Sequence, residues 1–383
     1  MKSLKKILTL SILLLMTVSF GGCLNLSKKD SGYEKNEHQG IFKTTDGGKN
    51  WEHRVEIEES ENFLDNVKIA SMAMDPKNNS VLYLGTRGKG LYKSDNGADS
   101  WKKVTDENKV LSENAIIYDI AVENGNSDIV YMATLNNDRG ELLKSEDGGE
   151  SWVLSYPSPG TGKPVNAVKV DPLFKNVVYI GTEQGGFIKS ENKGNTWFAL
   201  NWFESGVKDF VIDFWNNNGI IVRTAKGIFK NREGGSGEWE SLNKIIKTTS
   251  EVNVDISKVN SMTIDNKNPF VVYLTYLNLI LVTRDGGYNW EKLNTITPSL
   301  TPIGTIPQVK QIGMIDDIIY YGAGNALYKS ENKGITWSGY NIPIKGDVRY
   351  TVSDYKNSDI IYVGAFYDPP PEKKKKKNPF LPY

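Results

Sequence analysis

The chain is poor in the residues that most protein chemistry needs. One cysteine, Cys23, and two histidines, His38 and His53, occur in 383 residues. A single cysteine excludes an intrachain disulfide and a thiolate zinc cluster. Two histidines close together near the start leave little for a metal site or a Ser-His-Asp triad. No metal and no other cofactor is therefore expected. An excess charge of either sign is missing too, since 46 Lys and Arg face 46 Asp and Glu. With no basic surplus and no pattern of a known nucleic-acid module, nucleic acid is not an expected partner. A phosphate loop is also absent: Gly160-Thr161-Gly162-Lys163-Pro164 lacks the full spacing and the Ser or Thr after Lys, and reads as a turn.

What the chain has instead is repetition. The pattern Ser/Thr-x-Asp/Asn-x-Gly-x-x-Trp recurs seven times, and seven of the nine tryptophans end a copy. Its third position is Asp46, Asn96, Asp147, Asn192, Glu233, Asp285 and Asn332 in turn; the Glu233 copy is the weakest, opening on Asn231 with an extra residue before Trp239. A period of roughly 40–50 residues is the mark of a propeller or solenoid. In the unit from Asn166 to Leu200, runs rich in β-branched and aromatic residues predict strands over 167–172, 177–182, 186–190 and 196–200. The Asp/Asn-x-Gly turn joins the last two as a hairpin, and four antiparallel strands make one propeller blade.

The ends complete the count. Residues 40–52 supply third and fourth strands without a first or second, whereas 350–352 and 360–364 supply a first and second with no pattern after them. Joined, they form one blade from both termini, which closes the ring and removes an open sheet edge. The expected fold is all-β: a seven-bladed propeller of four-stranded antiparallel blades over residues 40–367.

The repeats resemble the Asp box, or bacterial neuraminidase repeat. The run Val-Tyr-x-Gly-Thr followed by Gly-x-Tyr-Lys-Ser is similar to sortilin-type receptors, xyloglucan-degrading endoglucanases and the photosystem II stability/assembly factor family. The resemblance covers about residues 40–366 and speaks for fold rather than function. The box residues themselves are expected to be scaffold. Asp or Asn accepts from the turn backbone, Gly takes a positive φ and Trp packs between sheets.

The N-terminus reads as a signal, with Lys2, Lys5 and Lys6 before a mostly apolar stretch at 7–20. Phe20-Gly21-Gly22-Cys23 resembles the lipobox of bacterial lipoproteins, which implies cleavage after residue 22 and lipidation of Cys23. Residues 23–39 are then a polar tether, and 368–383, with three consecutive prolines and five consecutive lysines, a stiff extension. Extracytoplasmic location, a lipid anchor to the membrane and a monomeric state are expected.

A site is sought at the channel mouth, where the innermost strands begin. Aligning those strands places Ser71, Asp119, Ala167, Asp209, Ser261, Gln311 and Arg349 at one level, with an apolar column beneath. The candidate contacts are Tyr118, Asp119, Asn166, Lys208, Asp209, Asn260, Lys310 and Arg349. Trp202, in the connection after its box, is a candidate aromatic platform for a sugar or peptide. A sialidase would need an arginine cluster and an early Arg-Ile-Pro motif; the first arginine is Arg54, without it. The expected function is a non-enzymatic propeller that binds a protein segment or a glycan, as an assembly factor or receptor does. The alternative is a glycoside hydrolase using the pair Asp119 and Asp209.

Overall fold

Alternating β-branched and aromatic runs, each closed by an Asx or Asp-box turn, become short strands. The computed structural model describes residues 38–366 except 214–218, 251, 266 and 296–308, together with Asn36, and gives only the backbone of 309–311. The expected signal, Cys23 and the 368–383 extension lie outside the described residues. Within them the strands pair as seven four-stranded antiparallel sheets, six consecutive in sequence and one composite. The first strands of blades 1 to 7 are Ile69–Met74, Ile116–Val122, Val165–Val170, Val207–Ile212, Val259–Ile264, Val309–Ile315 and Asp347–Ser353. Each packs beside the first strands of its two neighbours, and blade 7 packs beside blade 1, so the ring is closed with these strands innermost. Closure is made by Gly40–Thr44 pairing with Ile361–Phe366, in register Gly40 to Ala365 through Thr44 to Ile361. The fold is the all-β seven-bladed propeller that the repeats foretell.

The core lies between blades, and a column in the second strands shows how tightly. Gly85, Gly181, Gly322 and Gly364 occupy the same place of that strand in four blades, opposite Ser71, Ala167, Gln311 and Tyr350 of the first strand. A Cβ built on Gly181 would stand 2.4 Å from Cγ1 of Val207, and one on Gly322 would stand 2.1 Å from Cγ1 of Val348. The glycine is there because the next blade's first strand comes too close for any side chain. Blade 2 has Ala133 in this place, blade 5 has Thr275, and blade 4 has Arg223.

The box turns share one hydrogen-bond scheme. In the Asp147 copy, the Gly149 N–H donates to the Ser145 hydroxyl at 2.8 Å, and the Ser151 N–H donates to Asp147 Oδ1 at 2.9 Å. The copies at Asp46, Asn96, Asn192, Asp285 and Asn332 repeat it. Glu233 does not: Asn231 Oδ1 accepts from the N–H groups of both Glu233 and Gly235, and among the described residues no bond joins the Glu233 side chain to the turn. Trp101, Trp152 and Trp290 are fully buried between sheets.

The connection between blades 4 and 5 holds a short helix, Asn243–Thr249, because Ile246 finds a buried place among the side chains between these blades. One boundary differs from the expectation. The outer strand of blade 3 runs to Trp202, which pairs with Gly186 across a bulge, so Trp202 is part of a blade and not of a connection.

Candidate functional site

Every first strand carries one extra residue near its start. The ladder with the second strand skips Ala70, Tyr118, Asn166, Lys208, Asn260, Lys310 and Arg349. Such a bulge leaves the extra residue out of the pairing and turns the strand. Seven bulges in register make a ring of positions outside that ladder at the channel mouth. Arg349 belongs to this ring, level with Tyr118 and Asn166, and Tyr350 stands level with Asp119 opposite Gly364. The one-level alignment of Arg349 with Asp119 is thus off by one residue. The composite blade has no box of its own downstream to set the count.

The ring opens on a cavity of about 980 Å³. Tyr118, Asp119, Asn166, Lys208, Asp209, Asn260 and Arg349 all line it. The side chain of Lys310 lies outside the described residues. Trp202 does not contribute; it is 52% exposed on an outer strand, whereas its neighbour Phe203 is buried against Phe229 and Trp239. Three cations that the first-strand alignment did not place also line the cavity: Lys68, Lys169 and Arg223, with Arg87 from the loop after the second strand of blade 1. The signal for Arg223 was available, since Ile220-Ile221-Val222-Arg223-Thr224 breaks the glycine column of the other blades. Lys169 was hidden by the bulge. Beyond it the channel-facing residues are two steps past the Asp119 level, at Lys169 and Thr263, while Ile120, Val168 and Phe210 turn into the interblade core.

The charges are arranged across three blades. Asp119 takes the N–H of Ile120 on Oδ1 at 3.0 Å and that of Val168, in the next blade, on Oδ2 at 3.1 Å. Asp209 accepts the Phe210 N–H at 2.8 Å and stands 3.7 Å from Lys169 Nζ. Burial pushes the Asp119 carboxyl up to about 6; Lys169 and the Val168 N–H pull against it, while Asp209 adds to it. Burial also works to lower the Lys169 ammonium, but the fields of Asp209 and Asp119 outweigh it and raise the group. Lys169 is deep in the protein and still 40% accessible, because it faces the channel.

At the rim, Glu183 accepts from Lys208 Nζ at 2.6 Å and from Asn166 Nδ2 at 2.7 Å. Those two bonds overcome the opposing effect of burial and hold its carboxyl below the usual range. Arg349 lies 3.6 Å from Asp347. Tyr350 bonds to Arg87, though burial dominates and raises its hydroxyl. Six basic side chains line the cavity against the two carboxylates Asp119 and Asp209. Among the described residues no group of three or more His, Cys, Asp and Glu is placed to hold a metal ion.

No family model matches the chain. Over 272 residues it is 24% identical to the xyloglucanase Xgh74A of Acetivibrio thermocellus, covering 66% of this chain and 28% of that protein. Over 198 residues it is 24% identical to the oligoxyloglucan-reducing end-specific xyloglucanase of Emericella nidulans, covering 45% of this chain and 24% of that one. The chain spans about a quarter of the length of these curated relatives. Among solved structures it resembles the GH74 xyloglucanase of Xanthomonas campestris, with TM-score 0.60 and 13% identity over 85% of this chain and 52% of that one. It also resembles YCF48 of Cyanidioschyzon merolae, with TM-score 0.56 and 13% identity over 78% of this chain and 95% of that one. A YCF48 structure bound to a D1 peptide gives TM-score 0.55 at 14% identity, over 88% and 99% of the two chains. At these identities the structural likeness speaks for the propeller fold alone.

Proposed function

We propose that this protein is an extracytoplasmic, lipid-anchored propeller whose channel mouth binds a segment of another protein, or a glycan, without chemistry of its own. The observation that carries the reading is the cavity at the ring of bulges, wide enough for several residues of a ligand and lined by convergent polar side chains. Its two carboxylates are already engaged by backbone N–H groups and by Lys169, which suits a rigid recognition surface better than a pair of reacting acids. The anchor follows from the lysines before the apolar run and from Cys23 as the sole cysteine, at the end of a lipobox-like sequence. Stable anchoring needs more than one acyl chain, which a lipidated N-terminal cysteine supplies. A propeller of the same fold, YCF48, has been solved with a peptide bound, which supports a protein segment as ligand.

The test is crosslinking in intact envelopes, followed by purification of the full chain and mass spectrometry of crosslinked peptides. A near-stoichiometric partner joined to residues of the channel mouth is the expected result. Partners joined only to the outer strands would overturn the reading.

One observation favours a second reading, a glycoside hydrolase. The Asp119 carboxyl, pushed up to about 6, would be partly protonated near neutral pH as a general acid must be, and the curated relatives are named xyloglucanases. Release of reducing ends from xyloglucan, abolished by Asp119→Ala or by Asp209→Ala, would establish it in place of the first.

A further inference from the structure

Arg223 stands where four other blades carry glycine. Its side chain leaves the second strand of blade 4 toward the channel, and Nη1 donates to the Val259 carbonyl of blade 5 at 3.1 Å. That is a neutral partner. Among the described residues no carboxylate forms an ion pair with the guanidinium, and its buried Nε has no hydrogen-bond partner. A buried guanidinium donor left unmet carries a cost that a ligand oxygen would remove. Burial also works to lower the guanidinium pKa, with only the field of Asp209 opposing it.

Among the described residues the cations of the cavity outnumber its carboxylates. Lys68, Arg87, Lys169, Lys208 and Arg349 line the cavity with Arg223. Counting Glu183 and Asp347 at the rim with Asp119 and Asp209, the carboxylates are still fewer than the cations. In a concave site with protein walls such an excess concentrates anions. The planar fork of Arg matches a carboxylate in particular. The seven bulges keep one residue of each first strand outside the ladder with the second strand, an irregular main chain along which an extended polypeptide can lie, and the carbonyls of Ile117, Val207 and Val259 beside them already accept from Ser71, Asn166 and Arg223.

We propose that the channel mouth is a carboxylate-binding site anchored by Arg223, and that its ligand is an acidic segment of a polypeptide. The inference rests on the reading that the mouth binds a ligand, and adds which chemistry the ligand carries. Arg223 takes one carboxylate deep in the channel. The rim cations exchange their present partners for the ligand's further acids.

The experiment is calorimetric titration of the full chain in a neutral detergent with hexaglutamate, hexaglutamine and trigalacturonate. Hexaglutamate is expected to bind, hexaglutamine not, and about 0.5 M sodium chloride to weaken binding strongly. Arg223→Gly puts in the residue that four other blades use and is expected to weaken hexaglutamate at least roughly tenfold. Should Arg223→Gly not fold, Arg223→Gln keeps the bulk and carries the same expectation. Lys102→Gln, on the exposed outer strand of blade 1, removes the same charge outside the cavity and should change nothing. A folded Arg223 variant that binds as the parent does overturns the proposal, as does failure of hexaglutamate to bind. Tighter binding of trigalacturonate than of hexaglutamate replaces the peptide by an acidic glycan. A partner crosslinked at the mouth through a neutral sequence would leave the function standing and remove only the acidic ligand. No ligand at the mouth by either route would remove both.

Discussion

The hydroxyl of Tyr83, in the second strand of blade 1, donates to the Gly148 carbonyl in the box turn of blade 2 at 2.8 Å. Tyr131 holds the same place one blade on, where its hydroxyl is buried with no partner among the described residues. Tyr83→Phe should therefore cost about 1 kcal/mol. Tyr131→Phe should be neutral or slightly stabilising, because it removes an unmet hydroxyl. Paired thermal melts give the comparison, and equal losses would contradict it.

The glycine column predicts a rescue. Gly181→Ala should destabilise by about 1–3 kcal/mol through its collision with Val207. Val207→Ala vacates that space, so the double variant should lose less than the sum of the two singles. Strict additivity in urea unfolding would mean that the blades can slide apart at no cost.

Acid should loosen the boxes. Asp46 is held down to about 2, chiefly by the Asn50 N–H and side chain. For Asp147 burial opposes ionisation, yet bonds from Ser151 and Ser145 prevail and hold it at about 2. With folded pKa values below the ordinary 3.8, both turns contribute stability above about pH 4 that is lost as pH falls toward 2. Asp147→Asn, the residue of the Asn192 and Asn332 copies, should flatten the urea midpoint between pH 4 and 2 and cost little at neutral pH. Asp147→Ala should cost about 1 kcal/mol at pH 7.

Asp119 behaves in the opposite sense. Its folded pKa, about 6, lies above the unfolded value of 3.8, so between those pH values the native state holds a proton that the unfolded chain has released. Its contribution is present below about pH 4 and is lost as pH rises through 6. Lys169→Met removes the cation that favours ionisation and should move the titration higher still, read by carbon NMR of the aspartate carboxyls. A downward move would show that Lys169 does not act on Asp119.

Much of this was legible in the sequence for a simple reason. A repeat offers several independent readings of the same structural position, so the box turns, the strand order and the composite blade follow from comparison within one chain. The channel mouth was reachable by the same route, and Tyr118, Asp119, Asn166, Lys208, Asp209 and Asn260 fall where their columns place them. A bulge leaves no mark in composition, which is why Arg349 was set one step from its place and Lys169 was missed. Arg223 was visible as the one charged residue in a glycine column, but only an alignment of second strands displays it. The Asp119 proton depends on how deeply the carboxyl is enclosed, a three-dimensional quantity that spacing does not carry.

The pairing of Gly40–Thr44 with Ile361–Phe366 has a consequence for how the molecule comes apart. A linear array of repeats melts from its ends, one unit at a time, because each unit leans only on its neighbours. Here the array bites its own tail, and no end is left to fray. The first step of unfolding has to break an internal seam, so the propeller should open reluctantly and then all at once.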